Sequence, residues 1–549
     1  MTALVVIPSW GRTTVEIEAE TGARFPAFIF LAGRPLYAHI LERAQRSLGA
    51  DCRSRIVLPL DAPALEHLAE PSAPGTAADL RLPSSGSIGE TVLAALDDLE
   101  GVDQLVVNMA DTLVEFAPEG VADLVYVQER HDLYKWTSVE LASGGELRFP
   151  SDRTDSAPVA LPREICVGVF AFSRPEEFRA ALKAAVASPE SSKDPFFSAL
   201  EAYSSLVAVS LRRAEAWLDF GHIDSYYGSK LAHQNLRHFN SLEYDRARGL
   251  VTKRSERVEA YRHQVRWFKQ LPDDLAAFVP RIHHIDDGEA PHITMEMLSI
   301  PTLSELFLSQ RIQVGVWNGV ARAVKEILAR FDAYSVRSSL GPAIAEAVYL
   351  EKTLERLNAF VERCPAALAW WVDAGAGQRF GVREALAALP AFVRRFGLLD
   401  CERLTPIHGD FCFSNLLFDL KASTAKMIDP RGEFGVPGIF GDSRYDLAKL
   451  SHSYSGGYDY IVTDRFDCEV HADGQLQLRL PRNDYRAQVE AIFQTWLLRD
   501  RAIARQIRAI EALLFLSMVP LHSDAPHRQQ AMLATGLTIF SALHLDPSQ

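Results

Sequence analysis

Cysteine is scarce in these 549 residues, six in all: Cys52, Cys166, Cys364, Cys401, Cys412 and Cys468, far apart and with no CxxC pair. That spacing excludes a zinc ribbon and a thioredoxin-type redox motif, and scattered reduced thiols suit a cytoplasmic protein. Long apolar runs are missing too. Stretches such as residues 510–521 fall well short of the roughly 20 apolar residues a membrane span needs, so no membrane insertion is expected. The start, Met1-Thr-Ala-Leu-Val-Val-Ile-Pro, lacks the basic n-region of a signal peptide and reads as a strand ending at Pro8. Basic excess is also absent. With 57 Lys+Arg against 71 Asp+Glu, the formal charge of -14 opposes non-specific attraction to nucleic acid or anionic membranes. A neutral, sugar-like substrate or a metal-neutralised phosphate fits better.

The composition that remains is ordinary for a folded protein: 48% hydrophobic and 23% charged, with no internal repeat and no low-complexity segment. At roughly 100–200 residues per domain the chain predicts two to four domains. Over residues 1–230, short apolar runs (4–7, 54–58, 104–108, 124–128, 166–172) alternate with amphipathic stretches near 37–47 and 88–99. This alternation predicts an α/β sandwich with a largely parallel sheet, whose ligands bind beyond the carboxyl ends of the strands. Residues 231–300 begin a new β pattern, with Gly249-Leu-Val-Thr-Lys253, an Arg- and Glu-rich helix, and Ile293-Thr-Met-Glu-Met297. Residues 301–549 read as mostly helical, apart from β-like segments around 408–429. A small β lobe before a large helical lobe outlines an α+β, two-lobed, kinase-like domain.

The strongest chemical signal is His408-Gly-Asp410-Phe-Cys-Phe-Ser-Asn415, followed by Met427-Ile-Asp429. Phosphoryl transfer to a hydroxyl needs one carboxylate to orient the acceptor and take its proton. It also needs an amide and a second carboxylate to hold Mg²⁺ against the nucleotide phosphates. Asp410, Asn415 and Asp429 supply these groups in that order, at the spacing of a kinase catalytic loop. Each alone has a plainer reading, as a turn residue or a helix cap; the set together does not. In the small lobe Lys253 ends a strand, where a lysine can reach the α/β-phosphates, and Glu296-Met297 reads as a hinge. Glu256 and Glu259 are candidate anchors for Lys253.

This segment resembles the aminoglycoside phosphotransferase and choline kinase family, whose catalytic loop reads His-Gly-Asp, Asn, then Ile-Asp. The resemblance implies Asp410 as catalytic base, His408 as a structural member of the loop counted with the catalytic residues, Asn415 and Asp429 as Mg²⁺ ligands, and ATP or GTP as phosphoryl donor. Gly441-Asp442-Ser-Arg-Tyr-Asp446-Leu-Ala-Lys449 is similar to a family segment in which Asp442 would brace the loop. One departure is Gln264, where relatives carry an acid, which leaves the lysine's anchor unassigned.

In the first domain Asp111 follows the run Gln104-Leu-Val-Val-Asn-Met-Ala, and Asp219 lies in Ala216-Trp-Leu-Asp219-Phe-Gly. Nucleotidyl transfer needs carboxylates from separate strands to hold Mg²⁺ at the α-phosphate. With Leu31-Ala-Gly33-Arg-Pro35-Leu36 leading into a helix, the domain resembles the sugar nucleotidyltransferases, of glycosyltransferase-A-like fold. That resemblance implies CTP, UTP or another NTP as cofactor. The family's Gly-x-Gly-Ser/Thr-Arg loop stands here as Ser9-Trp10-Gly11-Arg12-Thr13-Thr14-Val15. Gly11 alone fits, Arg12 is the candidate replacement cation, and the family's Pro-Lys appears as Pro26-Ala27. Loss of phosphate-binding cations removes the usual stabilisation of developing charge. Two readings follow: a second catalytic domain, or a degenerate binding or assembly module.

The fusion resembles bacterial proteins encoded among capsular and surface polysaccharide genes. Phrases such as Arg237-His-Phe-Asn240, Asp429-Pro-Arg431-Gly432 and the stretch from His452 to Asp459 carry that likeness. It points to a pathway and leaves the acceptor open; a sugar or small alcohol is the expected class. Arg431, unusual beside a metal-binding aspartate, suits either a substrate phosphate or carboxylate or a structural salt bridge. The oligomeric state has no signature in the sequence.

Overall fold

The computed structural model describes all residues except 1, 32, 50–51, 63–77, 116–122, 132–135, 151–161, 189–192, 236–239, 246, 311, 376, 499 and 546–549. The chain divides into two compact units, Met1–Leu236 and Arg237–Gln549. Among the described residues no helix is long and apolar enough to cross a membrane.

The first unit is built on a seven-stranded sheet, in spatial order Ser210–Arg213, Leu124–Arg130, Arg163–Phe172, Gln104–Asn108, Ala3–Pro8, Arg53–Pro59, Ala78–Leu82. All five apolar runs predicted as strands lie in it. Along the central strand, Leu4 and Val6 join one core cluster while Ala3, Val5 and Ile7 join another. The run is apolar throughout because both of its faces are covered. The sheet is less parallel than expected: Arg163–Phe172 runs antiparallel to both its neighbours. That strand carries a register shift between Cys166 and Phe170, centred on Gly168. Gly168 has φ +89°, and a Cβ there would press within 3.1 Å of Met109 and Thr112, so the bulge requires glycine.

The second unit opens with a four-stranded antiparallel sheet in the order Asn240–Asp245, Leu250–Ser255, His292–Glu296, Ile282–Asp286. The helix Val258–Gln270 packs on it through Tyr261 and Val265. The remainder is dominated by helices, with a buried cluster in which Arg501–Met518 and Pro526–His544 are almost entirely enclosed along their middles. Two hairpins not foreseen in the sequence, Trp371–Asp373 with Arg379–Gly381 and Asp467–Val470 with Leu476–Arg479, lie in this lobe. Their strands are three or four residues long, too short for alternation to register as a pattern.

Candidate functional site

In the second unit, the segment after the strand Arg403–Pro406 is buried over residues 407–409 and 411–413, with Asp410 half-buried between them. Phe411 and Phe413 are fully buried, and Phe413 stacks on Trp317 and meets Phe307 and Phe493 edge-on or tilted. Burying two such rings stabilises the loop by roughly 3–6 kcal/mol; Cys412 between them is buried as well, and the accessible residues are Asp410 before them and Ser414 and Asn415 after them. Gly409, at φ +78°, has no room for a Cβ because the Phe434 ring occupies that space.

Asp410 sits at the turn. Its Oδ2 accepts from Asn415 Nδ2 at 2.9 Å, and Lys449 Nζ lies 2.9 Å from Oδ1. Burial alone would raise this carboxyl, but Lys449 and Arg431 outweigh it and hold the group well below the usual carboxylate range. Asn415 spends its amide NH₂ on Asp410, on the carboxylate and on the backbone carbonyl. No described protein group meets its Oδ1. Asp429 follows the strand Thr424–Met427 and adopts φ +58°, a conformation uncommon outside glycine. Its Oδ1 accepts from Lys253 Nζ at 2.5 Å. Lys253 comes from the sheet lobe, where it is fixed in register between Leu242 and Ile293, and its carbonyl accepts from Tyr261 Oη. Four candidates from four sequence positions, Lys253, Asp410, Asn415 and Asp429, thus form two interlocked pairs.

Three expectations need correction. His408 is not positioned to touch a substrate. It is fully buried, bonded through Nε2 to the Ile428 carbonyl at 2.8 Å, and its Nδ1 accepts from the Asp410 amide at 3.3 Å. Burial pushes its pKa down to about 4, so it is a neutral strut between the two aspartate segments. The residue bracing the loop is Asp446, which accepts from the amides of His408 at 2.7 Å and Gly409 at 2.8 Å. Asp442 instead caps the helix Ser443–Tyr454 and pairs with Arg444 and Tyr349. Neither Glu256 nor Glu259 anchors Lys253: Glu259 faces Arg262, and Lys253 meets Asp429 itself. Gln264, standing where an acid was expected, donates to the carbonyl of Pro430 at 3.1 Å and so supports the Asp429 turn. At the hinge, the Met297 amide donates to the Gly249 carbonyl and Oε2 of Glu296 accepts from the Arg281 amide.

Asp446 and Lys449 were in a quoted motif but carried no assigned role. Their spacing of three on one helix puts them on one face, a signal that was legible.

The first unit has its own cleft, a cavity of about 620 Å³ at the carboxyl ends of the central strands. It is lined by Ser9 to Arg12, by Ser85 to Ile88, by Asp111 and Asp219, and by an aromatic wall of Trp136, Trp217 and His222. Trp136 meets both Trp217 and His222 edge-to-face. The two aspartates converge through a short ladder in which Asp219 pairs with Thr112, while the Phe220 amide donates to the Asp111 carbonyl. A Cβ on Gly221 would touch Asp111 Oδ2 and lie 3.4 Å from Asp219 Oδ1, so both carboxylates crowd one point. Burial first, and then Asp219, push the Asp111 pKa up to about 6. Asp219 is steadied by His222 Nδ1 at 2.9 Å and by the Gly221 amide at 3.0 Å.

Among the described lining residues Arg12 is the sole Lys or Arg, and its guanidinium lies 3.8 Å from Asp61. Val15 is 81% exposed and Ala27 is fully buried; neither lines the cavity. A Cβ on Gly11 would meet nothing within 4 Å, so this glycine is not demanded by close approach.

Mg²⁺ takes oxygen ligands and is commonly held by one or two carboxylates with substrate phosphates completing the shell. Both sites fit that donor chemistry: Asn415 Oδ1 with Asp429 in one, Asp111 with Asp219 in the other. Among the described residues no cluster of three or more His, Cys, Asp or Glu forms an all-protein metal cage.

No protein-family model matches this chain, and no curated protein matches it. Among solved structures it is similar to the CTP:phosphocholine cytidylyltransferase LicC of Streptococcus pneumoniae, at 11% identity and a TM-score of 0.34. That likeness covers 42% of this chain and 100% of the other. It is similar also to HddC from Yersinia pseudotuberculosis, at 12% identity and a TM-score of 0.30, again over 42% of this chain and 100% of the other.

Proposed function

We propose that the second unit is a Mg²⁺-dependent kinase that transfers the γ-phosphoryl group of ATP or GTP to a hydroxyl of a small sugar-like or alcohol acceptor. The observation that supports this reading is the two pairs, Asp410 with Asn415 and Asp429 with Lys253, whose backbone segments are joined through His408. Asp410, kept ionised by Lys449 and Arg431, orients the acceptor hydroxyl and takes its proton. Asn415 locks that carboxylate and, with Asp429, would hold the metal. Bound Mg²⁺ supplies neutralisation of the phosphate charge. Lys253, now on Asp429, is within reach of phosphates that arrive with the nucleotide.

For the first unit, the converging Asp111 and Asp219 and a cavity sized for a nucleotide or sugar phosphate support binding of a Mg-nucleotide (CTP, UTP or another NTP). Coupling that nucleotide to the kinase product, with release of pyrophosphate, would make the chain bifunctional. Its products would then supply activated precursors for surface polysaccharide, the role the fused architecture resembles. A second reading, a binding module without catalysis, is favoured by one observation: Arg12 is the sole Lys or Arg among the described lining residues.

The test is substrate-dependent ADP or GDP release with sugars and small alcohols in Mg²⁺. Pyrophosphate release is then assayed with each NTP and the phosphorylated product. No transfer to any acceptor, with no Mg-nucleotide binding, would sink the kinase. Kinase activity without pyrophosphate release would leave the first unit as a binding module.

A further inference from the structure

Beside Asp410 the second unit gathers four cations, of which Lys449 has a carboxylate, Asp410 itself, within ion-pair distance. Tyr445 is at their centre: Arg431 Nη1 donates to its Oη at 3.0 Å, and Lys352 Nζ lies 5.1 Å from its ring centroid. Arg356, one turn beyond Lys352 on the helix Lys352–Arg363, donates to the Ser517 carbonyl at 3.3 Å. Lys449, one turn beyond Tyr445, completes the group against Asp410. Among the described residues no carboxylate comes within ion-pair distance of Lys352, Arg356 or Arg431. Several other cations of this unit are paired, Arg444 with Asp442, Arg508 with Glu511 and Arg528 with Asp464, whereas buried Arg486 donates to the carbonyls of Pro481 and Ser455.

A structural explanation would have the cluster serve only to keep Asp410 ionised. Lys449 at 2.9 Å and Arg431 behind it do that, which leaves Lys352 and Arg356 without such a role. Their combined field is strong. Burial would raise the Tyr445 phenol, yet Lys352, Arg431 and Lys449 together bring it down to about 7. Burial pushes Lys352 down to about 8, and the neighbouring Arg431, Arg356 and Lys449 press the same way against the opposing pull of Tyr445. Like charges held together in a partly enclosed site repel unless an anion joins them. Arginine's planar fork suits carboxylate and phosphate oxygens.

We propose that the molecule phosphorylated at this site is itself anionic, a hydroxy compound whose phosphate or carboxylate is bound by Arg431, Lys352 and Arg356 while its hydroxyl faces Asp410. This rests on the kinase reading above. The transfer balances: the acceptor oxygen forms the new P–O bond, its proton passes to Asp410, and the bond to the nucleoside diphosphate breaks. The same cations disfavour aminated acceptors, whose charge they repel.

The decisive experiment titrates inorganic phosphate into the full-length protein saturated with Mg²⁺ and a non-hydrolysable ATP or GTP analogue. Wild type is compared with Arg431→Gln, Lys352→Met and Arg431→Lys. Phosphate affinity should fall roughly tenfold or more in Arg431→Gln and Lys352→Met, and less in Arg431→Lys. Arg356→Gln replaces any variant that loses nucleotide binding and so has not folded. No phosphate binding by wild type, or affinity unchanged in the charge-removing variants, overturns the proposal.

A turnover arm offers glucose, gluconate, glucose 1-phosphate and ethanolamine with labelled ATP and GTP. Transfer to gluconate identifies a carboxylate site, and transfer to glucose 1-phosphate a phosphate site. Preference for glucose or ethanolamine overturns the anionic acceptor while leaving the kinase intact. Failure of wild type to bind either Mg-nucleotide sinks the kinase reading instead, and phosphate titration of the nucleotide-free chain then decides the anion site by itself.

Discussion

In the second unit each functional carboxylate has its own lysine, Lys449 at 2.9 Å from Asp410 and Lys253 at 2.5 Å from Asp429. In the first unit Asp111 and Asp219 crowd the space around Gly221, and the lone Arg or Lys among the described lining residues stands by Asp61. The electrostatic outcomes are opposite. Asp410 is driven well below the ordinary carboxylate range, whereas burial and Asp219 raise Asp111 to about 6. A carboxylate with a built-in counter-charge keeps its charge through a reaction cycle. A pair without one depends on a cation brought with the ligand. The proposed kinase site is therefore set before its ligands arrive, and the first cleft is completed by them.

The sharpest way to break this comparison is Asp410→Asn. It should lower phosphoryl transfer roughly 10²–10⁴-fold while leaving Mg-nucleotide affinity nearly unchanged by calorimetry. Undiminished turnover would show that the pairing with Lys449 serves structure alone.

Asp446→Ala should come next, because two buried amides, those of His408 and Gly409, lose their acceptor. A loss of about 2–4 kcal/mol of second-unit stability is expected in chemical denaturation, with turnover falling alongside. An intact, active variant would return the bracing role to Asp442.

The pH dependence of His408 gives a further test. Its folded pKa is about 4 against about 6.5 for a free imidazole, so between these values the unfolded chain binds more protons and stability falls as pH falls. The contribution reaches about 3 kcal/mol at and below pH 4. His408→Gln, which keeps a donor for the Ile428 carbonyl, should flatten the acid limb of the thermal midpoint of this unit. An unchanged acid limb would show that His408 is not held neutral.

The smallest expected effect carries the opposite sign. Asp111 has a raised folded pKa, so it costs stability as pH rises from about 4 to 6, and that cost is fully present above about 6. Asp111→Asn should therefore stabilise the first unit at pH 8 without Mg²⁺ by roughly 1–2 kcal/mol, the carboxyl being only partly enclosed. It should also abolish Mg-nucleotide binding there. Destabilisation by this change would erase the contrast between the two sites.

Much of this arrangement was legible in one dimension. Apolar runs such as Leu4–Ile7 and 104–108 marked central strands because a sheet covered on both faces must be apolar throughout. The interval from Asp410 to Asn415 marked a convergent pair because a short loop returns both residues to one cleft. The tertiary structure decided what depends on partners distant in sequence. Strand direction was one such matter, since the antiparallel course of Arg163–Phe172 leaves no trace in its composition. Bracing was another. Asp442 and Asp446 are both plausible acceptors in a motif, and only helix phase brings Asp446 to the amides of His408 and Gly409. The meeting of Lys253 with Asp429, 176 positions apart, and the gathering of Lys352, Arg356 and Arg431 about Tyr445 belong to the same class. A sequence names the groups that can titrate or bind, but their charge states follow from burial and from neighbours that only folding supplies.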